Sequence, residues 1–360
     1  MIAPTIGLST HIWNNNLRCI ALLMIYPVLI LGIFWLISLV LSGTVMARPS
    51  VQGIEMDTAI RFANQLAFDY WPMIITGVAI WFTIAWFTHT RLIRKMAHSH
   101  PVTREEEPEL YNLLENLCIS QGMIMPRMEI IETHARNAFA SGISKNTYSV
   151  TVTRGLMKSL RKEELEAVLA HELTHIINRD VRLLIVTIIF TGLFGFLSQI
   201  IWNNLRYTLF FGRSRNRNNN NGGIFVAMIL IAIILSIGYL LSLLMRFALS
   251  RRREYMADAG AVEMTKNPQA MMHALMRIAG RDKIPNASND IAMMCIENHS
   301  AFLGVFATHP PIDKRIKAIA QVTNSAILDE MSLPPVQKEE SFAPEHKPNP
   351  KNPWLNLKNR

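Results

Sequence analysis

Residues 167–180 read AVLAHELTHIINRD, a stretch that places two histidines and a glutamate within an otherwise apolar run. His171 and His175 are four positions apart, so on a helix both imidazoles project from one face and can bind one metal ion. Glu172 follows the first histidine, where it can reach a water molecule held by that metal. Because this pattern also arises by chance, two buried core histidines are the alternative, and the rest of the chain has to decide.

The composition indicates a membrane protein. Half of the 360 residues are hydrophobic and the mean hydropathy is positive, which is unusual for a soluble enzyme. Four uncharged apolar runs are each long enough for a membrane helix of about 20 residues. These runs cover 19–47, 70–90, 183–202 and 224–245. Four helices buried in a large soluble core are the alternative, but the length and purity of the runs favour membrane spans.

The net charge of +9 raises the question of nucleic-acid binding. The basic residues stand mostly beside the apolar runs, as at Arg91, Arg94, Lys95, Arg246 and 251–253. Lysine and arginine beside membrane spans are typical of contact with anionic lipid headgroups. We therefore predict the lipid bilayer as a partner and no nucleic acid.

The positive-inside rule places the N-terminus and the residues after 90 in the cytoplasm. The first apolar run is too long for a cleaved signal peptide, so we expect an uncleaved anchor. The three cysteines form neither a disulfide framework nor a CxxC metal pair, which suits a reducing compartment.

The chain divides into five segments. Residues 1–90 hold the first pair of spans, and 91–180 form the first part of a catalytic domain that ends with the HELTH helix. Residues 183–248 form a hairpin, 249–325 the second part of the catalytic domain, and 326–360 a Pro-rich charged tail that we expect to be disordered. Because the connecting loop and both flanks of the hairpin are basic, charge leaves open whether the hairpin spans the membrane or re-enters it.

Between residues 91 and 180 the pattern changes to a mixture of helices and strands. The stretch 103–122 has the period of an amphipathic helix. The stretches 127–133, 137–143 and 146–156 have the composition of strands. We therefore predict an α+β membrane protein, with four transmembrane helices and a mainly helical catalytic domain that carries a small β-sheet.

A catalytic zinc site needs a third protein ligand and an open position for water. A histidine six positions beyond His175, the metzincin pattern, is excluded because Val181 stands there. Asp180 follows by five positions, which on a regular helix turns its side chain off the ligand face. Glu254 is the better candidate, because it follows the hairpin directly, whereas the metal helix directly precedes it. The two ends of an antiparallel hairpin lie side by side, so Glu254 should lie near His175. Asp258, one turn further on, could accept a hydrogen bond from a ligand histidine, although an ordinary charged helix face remains the alternative for both.

With these residues in place, the chain resembles the HtpX-type membrane zinc metalloproteases, bacterial relatives of the CAAX prenyl proteases. The matching stretches are HELTH at 171–175, EYMAD at 254–258, NAFA at 137–140 and THPPIDKR at 308–315. The resemblance covers about residues 15–325 and implies a gluzincin-like catalytic domain of the zincin type. It also implies one Zn²⁺ ion per chain, with the ligands His171, His175 and Glu254.

The resemblance also implies roles for individual residues. Glu172 would be the general base, and His309 would stabilise the oxyanion. Asp258 would lie behind the metal ligands, and Arg315 would face Asp258 or the substrate. The strand that pairs with an extended substrate would be formed by Asn137, Ala138, Phe139 and Ala140.

By resemblance, the function is zinc-dependent endoproteolysis of misfolded or damaged membrane proteins in envelope quality control and the stress response. The catalytic domain would face the cytoplasm at the cell (inner) membrane, alongside FtsH-type machinery. A CAAX prenyl protease is one alternative, but that group has more spans. A zinc-binding scaffold or sensor would not need Glu172, and a zinc transporter would place its ligands within the spans, which hold no charged residue.

Overall fold

The computed structural model describes residues 8–45, 56–211, 221–247, 252–279 and 310–326. The predicted disordered tail and His309 lie outside these residues. In chain order the elements are α1 (Leu8–Val45), α2 (Met56–Ala97), β1 (His100–Pro101), α3 (Pro108–Ser120), β2 (Arg127–Ile131), β3 (Ala138–Ser141), β4 (Ser149–Thr153), α4 (Arg154–Ser159), α5 (Lys162–Ile177), α6 (Asp180–Phe211), α7 (Asn221–Phe247), α8 (Arg252–Thr265), α9 (Pro268–Ile278) and α10 (Ile312–Thr323).

Within the described residues, four helices are long and apolar enough to cross a membrane, as predicted. The qualifying segments are Asn16–Thr44, Met56–Ala97, Asp180–Thr208 and Phe225–Leu244. The second helix begins at Met56, well before the apolar run that predicted it. Its first turns carry an exposed ion pair between Asp57 and Arg61 at 2.8 Å. Charged pairs four residues apart stabilise a helix in water. A search for apolar runs does not detect such a helix, so the sequence prediction missed this extension.

The membrane helices pack through aromatic rings and a chain of hydroxyl groups. Tyr26 of α1 stacks on Phe190 of α6 with ring centroids 4.2 Å apart, and Phe82 of α2 packs on the same ring at 5.6 Å. The hydroxyl of Tyr26 lies 3.5 Å from that of Ser242 on α7. Ser242 donates a hydrogen bond of 2.8 Å to Thr191 of α6. Hydrogen bonds between helices in apolar surroundings hold α6 and α7 in register.

The sheet is small and mixed, with strand order β1–β2–β4–β3. β2 and β4 are parallel, with Arg127 opposite Ser149, and β3 is antiparallel to β4, with Ala140 opposite Val150. The three strands predicted from the sequence are thus present, whereas the two-residue β1 was too short to leave a pattern. β3 is an edge of the sheet and packs next to α5.

The metal helix α5 lies at the centre of the catalytic domain, and most of its residues are buried. It begins where the backbone N–H of Arg161 donates to the Glu164 carboxylate at 2.9 Å. It ends before Arg179, which adopts a left-handed conformation with φ of +61°. This residue turns the chain from α5 into α6, so the metal helix and the third membrane helix are two distinct helices and not one continuous helix.

Helices α5 and α8 pack closely at a glycine. A Cβ atom built on Gly260 would lie 2.5 Å from Cγ2 and 2.7 Å from Oγ1 of Thr174. Real Cβ atoms essentially never come this close to a neighbour, so the absence of a side chain at residue 260 allows the side chain of Thr174 to pack against the backbone of α8. The contact lies beside the residues predicted to bind metal, because Thr174 precedes His175.

Candidate metal centre

Three predicted metal ligands come together in the structure. His171 and His175 of α5 and Glu254 of α8 offer ligand atoms that all lie within 4.8 Å of one another. The two Nε2 atoms are 3.2 Å apart. The Glu254 carboxylate oxygens lie 3.7 Å from Nε2 of His171 and 3.8 Å from Nε2 of His175. Both His171 and Glu254 are buried, and His175 is only partly accessible.

This donor set fits a zinc ion. Tetrahedral coordination at zinc–ligand distances of 2.0–2.1 Å separates neighbouring ligand atoms by about 3.4 Å, close to the observed separations. Two imidazole nitrogens and one carboxylate leave a fourth position open, as catalytic zinc sites require. Two Nε2 atoms at 3.2 Å repel each other if both present lone pairs, unless one of them carries a hydrogen. A cation bound between them would remove this repulsion.

The candidate ligand His171 is held from behind by a buried ion pair. Its Nδ1 lies 3.0 Å from Oδ1 of Asp258. Arg315 of α10 donates two hydrogen bonds to the same carboxylate, at 2.9 and 2.6 Å. Burial by itself raises the pKa of Asp258, but the Arg315 guanidinium outweighs burial and holds that pKa below its ordinary value. An ionised carboxylate at this position favours a hydrogen on Nδ1 of His171, which leaves the lone pair of Nε2 for a metal. Nη2 of Arg315 also lies 3.4 Å from this Nε2 atom.

The ligand His175 has a similar partner that the sequence prediction missed. Oδ2 of Asp180 lies 3.0 Å from Nδ1 of His175. On a regular helix a spacing of five would have turned Asp180 away, but the left-handed Arg179 ends α5 and brings the carboxylate back. An acidic residue in the first turn of the next helix was the available signal, because such residues mark a new helix start. Burial lowers the pKa of His175, but the carboxylates of Glu254 and Asp180 raise it above its usual value.

Glu172 lies between the metal cluster and the edge strand. Its side chain is buried, and burial raises its pKa to about 7 although the neighbouring His175 opposes the change. The backbone N–H of Ala140 in β3 also opposes the effect of burial and lowers the pKa of this carboxylate. For His171, by contrast, burial lowers the pKa to about 4. A carboxylate poised near neutrality is suited to accept and return a proton.

The strand predicted to pair with substrate is present, and its pairing with substrate stays a prediction. Ala138, Phe139 and Ala140 form β3 at the edge of the sheet. Asn137 was expected to hydrogen-bond to substrate, but its side chain is fully buried and its Oδ1 accepts the N–H of Ala138 at 3.0 Å. A short polar side chain commonly bonds to neighbouring backbone in this way. Asn137 therefore shapes the start of the strand.

The chain resembles known proteins over most of its length. Residues 104–323 match the family described as Peptidase family M48. The chain is 42% identical to the protease HtpX homolog of Bacteroides fragilis over 325 residues, which cover 88% of this chain and 99% of that protein. It is 36% identical to the protease HtpX homolog of Lactobacillus acidophilus over 259 residues, which cover 69% and 86%.

A solved structure, the crystal structure of Ste24p from S. mikatae, matches with a TM-score of 0.40 and 16% sequence identity. That match covers 80% of this chain and 61% of the other. The family match contains the HELTH helix, the edge strand and α10, which confirms the resemblance predicted from the motifs. The chain belongs to peptidase family M48, among its HtpX-type membrane metalloproteases.

Proposed function

We propose that this metalloprotease is a zinc endopeptidase that cleaves misfolded or damaged membrane proteins at the cytoplasmic face of the cell (inner) membrane. One observation carries the proposal: the buried Glu172 lies beside the cluster of His171, His175 and Glu254 and contacts the edge strand β3. A proton acceptor, a metal-binding set and a strand that can pair with a peptide are therefore adjacent. The resemblance to HtpX-type proteins further supports a role in the stress response alongside FtsH-type machinery.

His171, His175 and Glu254 would hold one Zn²⁺ ion. Bound there, zinc supplies a Lewis acid for the scissile carbonyl and lowers the pKa of the attacking water. The chain's own contribution is to fix the two imidazoles. Asp258 and Asp180 each lie 3.0 Å from an Nδ1 atom, so both rings present Nε2 towards the same point.

Glu172 would move the proton during hydrolysis. Its carboxylate takes a proton from the attacking water and delivers it to the leaving amine nitrogen. A pKa of about 7 lets the same group act as base and then as acid near neutral pH. By resemblance, His309 would stabilise the oxyanion.

The edge strand supports a preference for unfolded segments. An extended substrate can add a strand to β3, and its hydrogen bonds would then be made by the backbone rather than by particular side chains. Such recognition requires a segment that has left its own secondary structure. Misfolded membrane proteins provide extended segments close to the four membrane helices of this chain.

The general-base assignment is tested with Glu172→Gln in the purified full-length protein. Glu163→Gln is the matched control, because Glu163 is an exposed glutamate near the start of the same helix. We expect Glu172→Gln to keep its zinc but to cleave casein at least about 10²-fold more slowly. The control should keep both zinc and activity. Full activity of Glu172→Gln would contradict the assignment, and zinc binding by the wild type without any cleavage would favour a scaffold or sensor.

The substrate class needs a separate measurement. One membrane protein, in its native form and as a destabilised variant, is placed with the protease in the same liposomes. We expect cleavage of the destabilised form at a rate at least about tenfold higher, because only that form exposes extended segments. Equal cleavage of both forms would contradict quality control while leaving the endopeptidase proposal intact. Exclusive cleavage of prenylated C-terminal peptides would instead identify a CAAX-type specificity.

A further inference from the structure

A groove between α2 and α6 is lined almost entirely by apolar side chains. Its cavity volume is about 240 Å³, and its walls include Ala85, Leu92, Met96, Ile188 and Gly192. Leu92 is 55% exposed, so the groove opens outwards from the helix bundle. Both walls belong to helices that are long and apolar enough to cross a membrane. This α2–α6 groove therefore faces lipid rather than water.

The groove has the depth of one leaflet. At its deep end Trp81 donates a hydrogen bond of 3.3 Å to the carbonyl of Ile189 and stacks on Phe196 at 6.0 Å. Trp81 precedes Arg91 by ten positions, which is about 15 Å of helix. Since the hydrocarbon core of a bilayer is about 30 Å thick, the groove ends near the middle of the membrane.

The open end of the groove, nearest the catalytic domain, is basic. Arg91 and Lys95 are exposed on α2 and continue the helical row of the lining residue Thr88. On α6, Arg182 lies one turn before Ile185, another lining residue, and its guanidinium lies 5.9 Å from the ring centroid of Trp86. Three cations therefore stand on α2 and α6 at the end of the groove where a lipid headgroup would sit.

Two acidic side chains of the described residues near this end have hydrogen-bond partners. Glu129 accepts hydrogen bonds of 2.7 Å from both Arg94 and Ser99, and Asp180 contacts His175 at 3.0 Å. Among the described residues, both carboxylates therefore have partners other than Arg91, Lys95 and Arg182. A negatively charged ligand is therefore favoured at the mouth of an apolar groove.

We propose that the α2–α6 groove is a binding site for one anionic phospholipid, whose acyl chain lies in the groove and whose phosphate pairs with Arg91, Lys95 and Arg182. A substrate's transmembrane helix fits less well, because it needs an apolar surface across the full bilayer and the Trp81 contact closes this groove halfway. A lipid chain enters at headgroup level and ends at mid-membrane, as the groove does.

The site is tested with the full-length, zinc-loaded protein purified in dodecyl maltoside. It is incubated with equal amounts of phosphatidylglycerol and phosphatidylcholine of identical acyl chains, and the retained lipid is counted by native mass spectrometry. We expect one retained phosphatidylglycerol per chain, at least about tenfold more often than phosphatidylcholine. Equal retention of the two lipids would overturn the proposal.

The groove itself is tested by filling it. Gly192→Leu places a side chain in the groove, where an added Cβ meets nothing within 4 Å, and should lower lipid retention at least about fivefold. The matched control is Gly32→Leu, which fills a second apolar cavity of about 530 Å³ between α1 and α7 and should leave retention unchanged. Ala85→Leu repeats the test if Gly192→Leu fails to fold. Equal loss in the control, or no loss in either groove variant, would overturn the proposal.

The rim is tested by removing one charge at a time. Arg91→Gln or Lys95→Gln should each reduce phosphatidylglycerol retention about fivefold. Arg61→Gln, which removes an exposed arginine near the other end of α2, should change nothing. If Gly192→Leu keeps its lipid but loses cleavage of a membrane-spanning substrate while still cleaving casein, the groove belongs to a substrate helix and the lipid proposal is wrong.

Discussion

Replacing Gly260 by alanine should weaken zinc binding without touching a ligand. The added Cβ would lie 2.5 Å from Cγ2 and 2.7 Å from Oγ1 of Thr174, whereas ordinary carbon contacts begin near 3.5 Å. Helix α8 must therefore retreat from α5 by about 1 Å. Glu254 and Asp258 move with α8, while His171 stays on α5.

The expected magnitudes follow from this displacement. Overpacking costs about 1–3 kcal/mol, and the better helix propensity of alanine returns about 1 kcal/mol, so stability should fall by about 0–2 kcal/mol. Metal–ligand distances tolerate changes of only about 0.2 Å. We therefore expect the zinc dissociation constant to rise at least about tenfold, which corresponds to about 1.4 kcal/mol, and activity at limiting zinc to fall with it.

Two further variants make the test specific. Thr174→Ala removes both clashing atoms and leaves a Cβ contact of 3.2 Å, so the double variant with Gly260→Ala should recover most of the lost zinc affinity. Gly192→Ala on α6, where an added Cβ meets nothing within 4 Å, should leave zinc binding unchanged. Zinc affinity is measured by competition with a chromophoric chelator, and stability by thermal unfolding. Wild-type affinity in Gly260→Ala, or no recovery in the double variant, would refute the reasoning.

Three other outcomes are expected. Asp180→Ala removes the partner of His175 and should lower zinc affinity about 10–100-fold in equilibrium dialysis. The affinity of Asp180→Asn should lie between those of the wild type and Asp180→Ala. Unchanged affinity would contradict a role for the contact. Arg154→Met leaves the buried Glu107 without this guanidinium and should cost about 1–3 kcal/mol at pH 7 in urea unfolding. The Arg154 hydrogen bond also lowers the pKa of Glu132, so part of that difference should disappear as pH falls below about 4.5 through the folded pKa; a difference that grows in acid would exclude this coupling. Zinc at 100 times its dissociation constant should stabilise the chelator-treated protein by about 2.7 kcal/mol in thermal unfolding, and no shift would contradict zinc binding to the folded state.

Much of the candidate site follows from local spacing. His171 and His175 face one direction because four residues make about one helical turn, and Asp258 follows Glu254 by the same rule. The return of Glu254 to α5 follows from the antiparallel hairpin. These arguments need only regular helices, and α5 and α8 are regular over the residues concerned.

The parts that escaped prediction depend on irregular backbone or on contacts between elements. Asp180 reaches His175 only because Arg179 adopts a positive φ, which a non-glycine residue does rarely and without a clear sequence signal. The close approach of Gly260 to Thr174 involves two helices far apart in the chain. Helix α4 has six residues and is capped by Thr153, so it is too short to show a hydrophobic period.

The hairpin of α6 and α7 separates the metal-binding residues in the order of synthesis. A ribosome releases His171 and His175 before either helix of the hairpin, and Glu254 only after both. The third ligand reaches the histidines once α7 has folded back beside α6, where Ser242 bonds to Thr191. A nascent chain therefore holds two of the three metal-binding residues throughout translation of the hairpin. The metal site is therefore complete only after α6 and α7 have entered the membrane. Proteolytic activity cannot begin before that insertion.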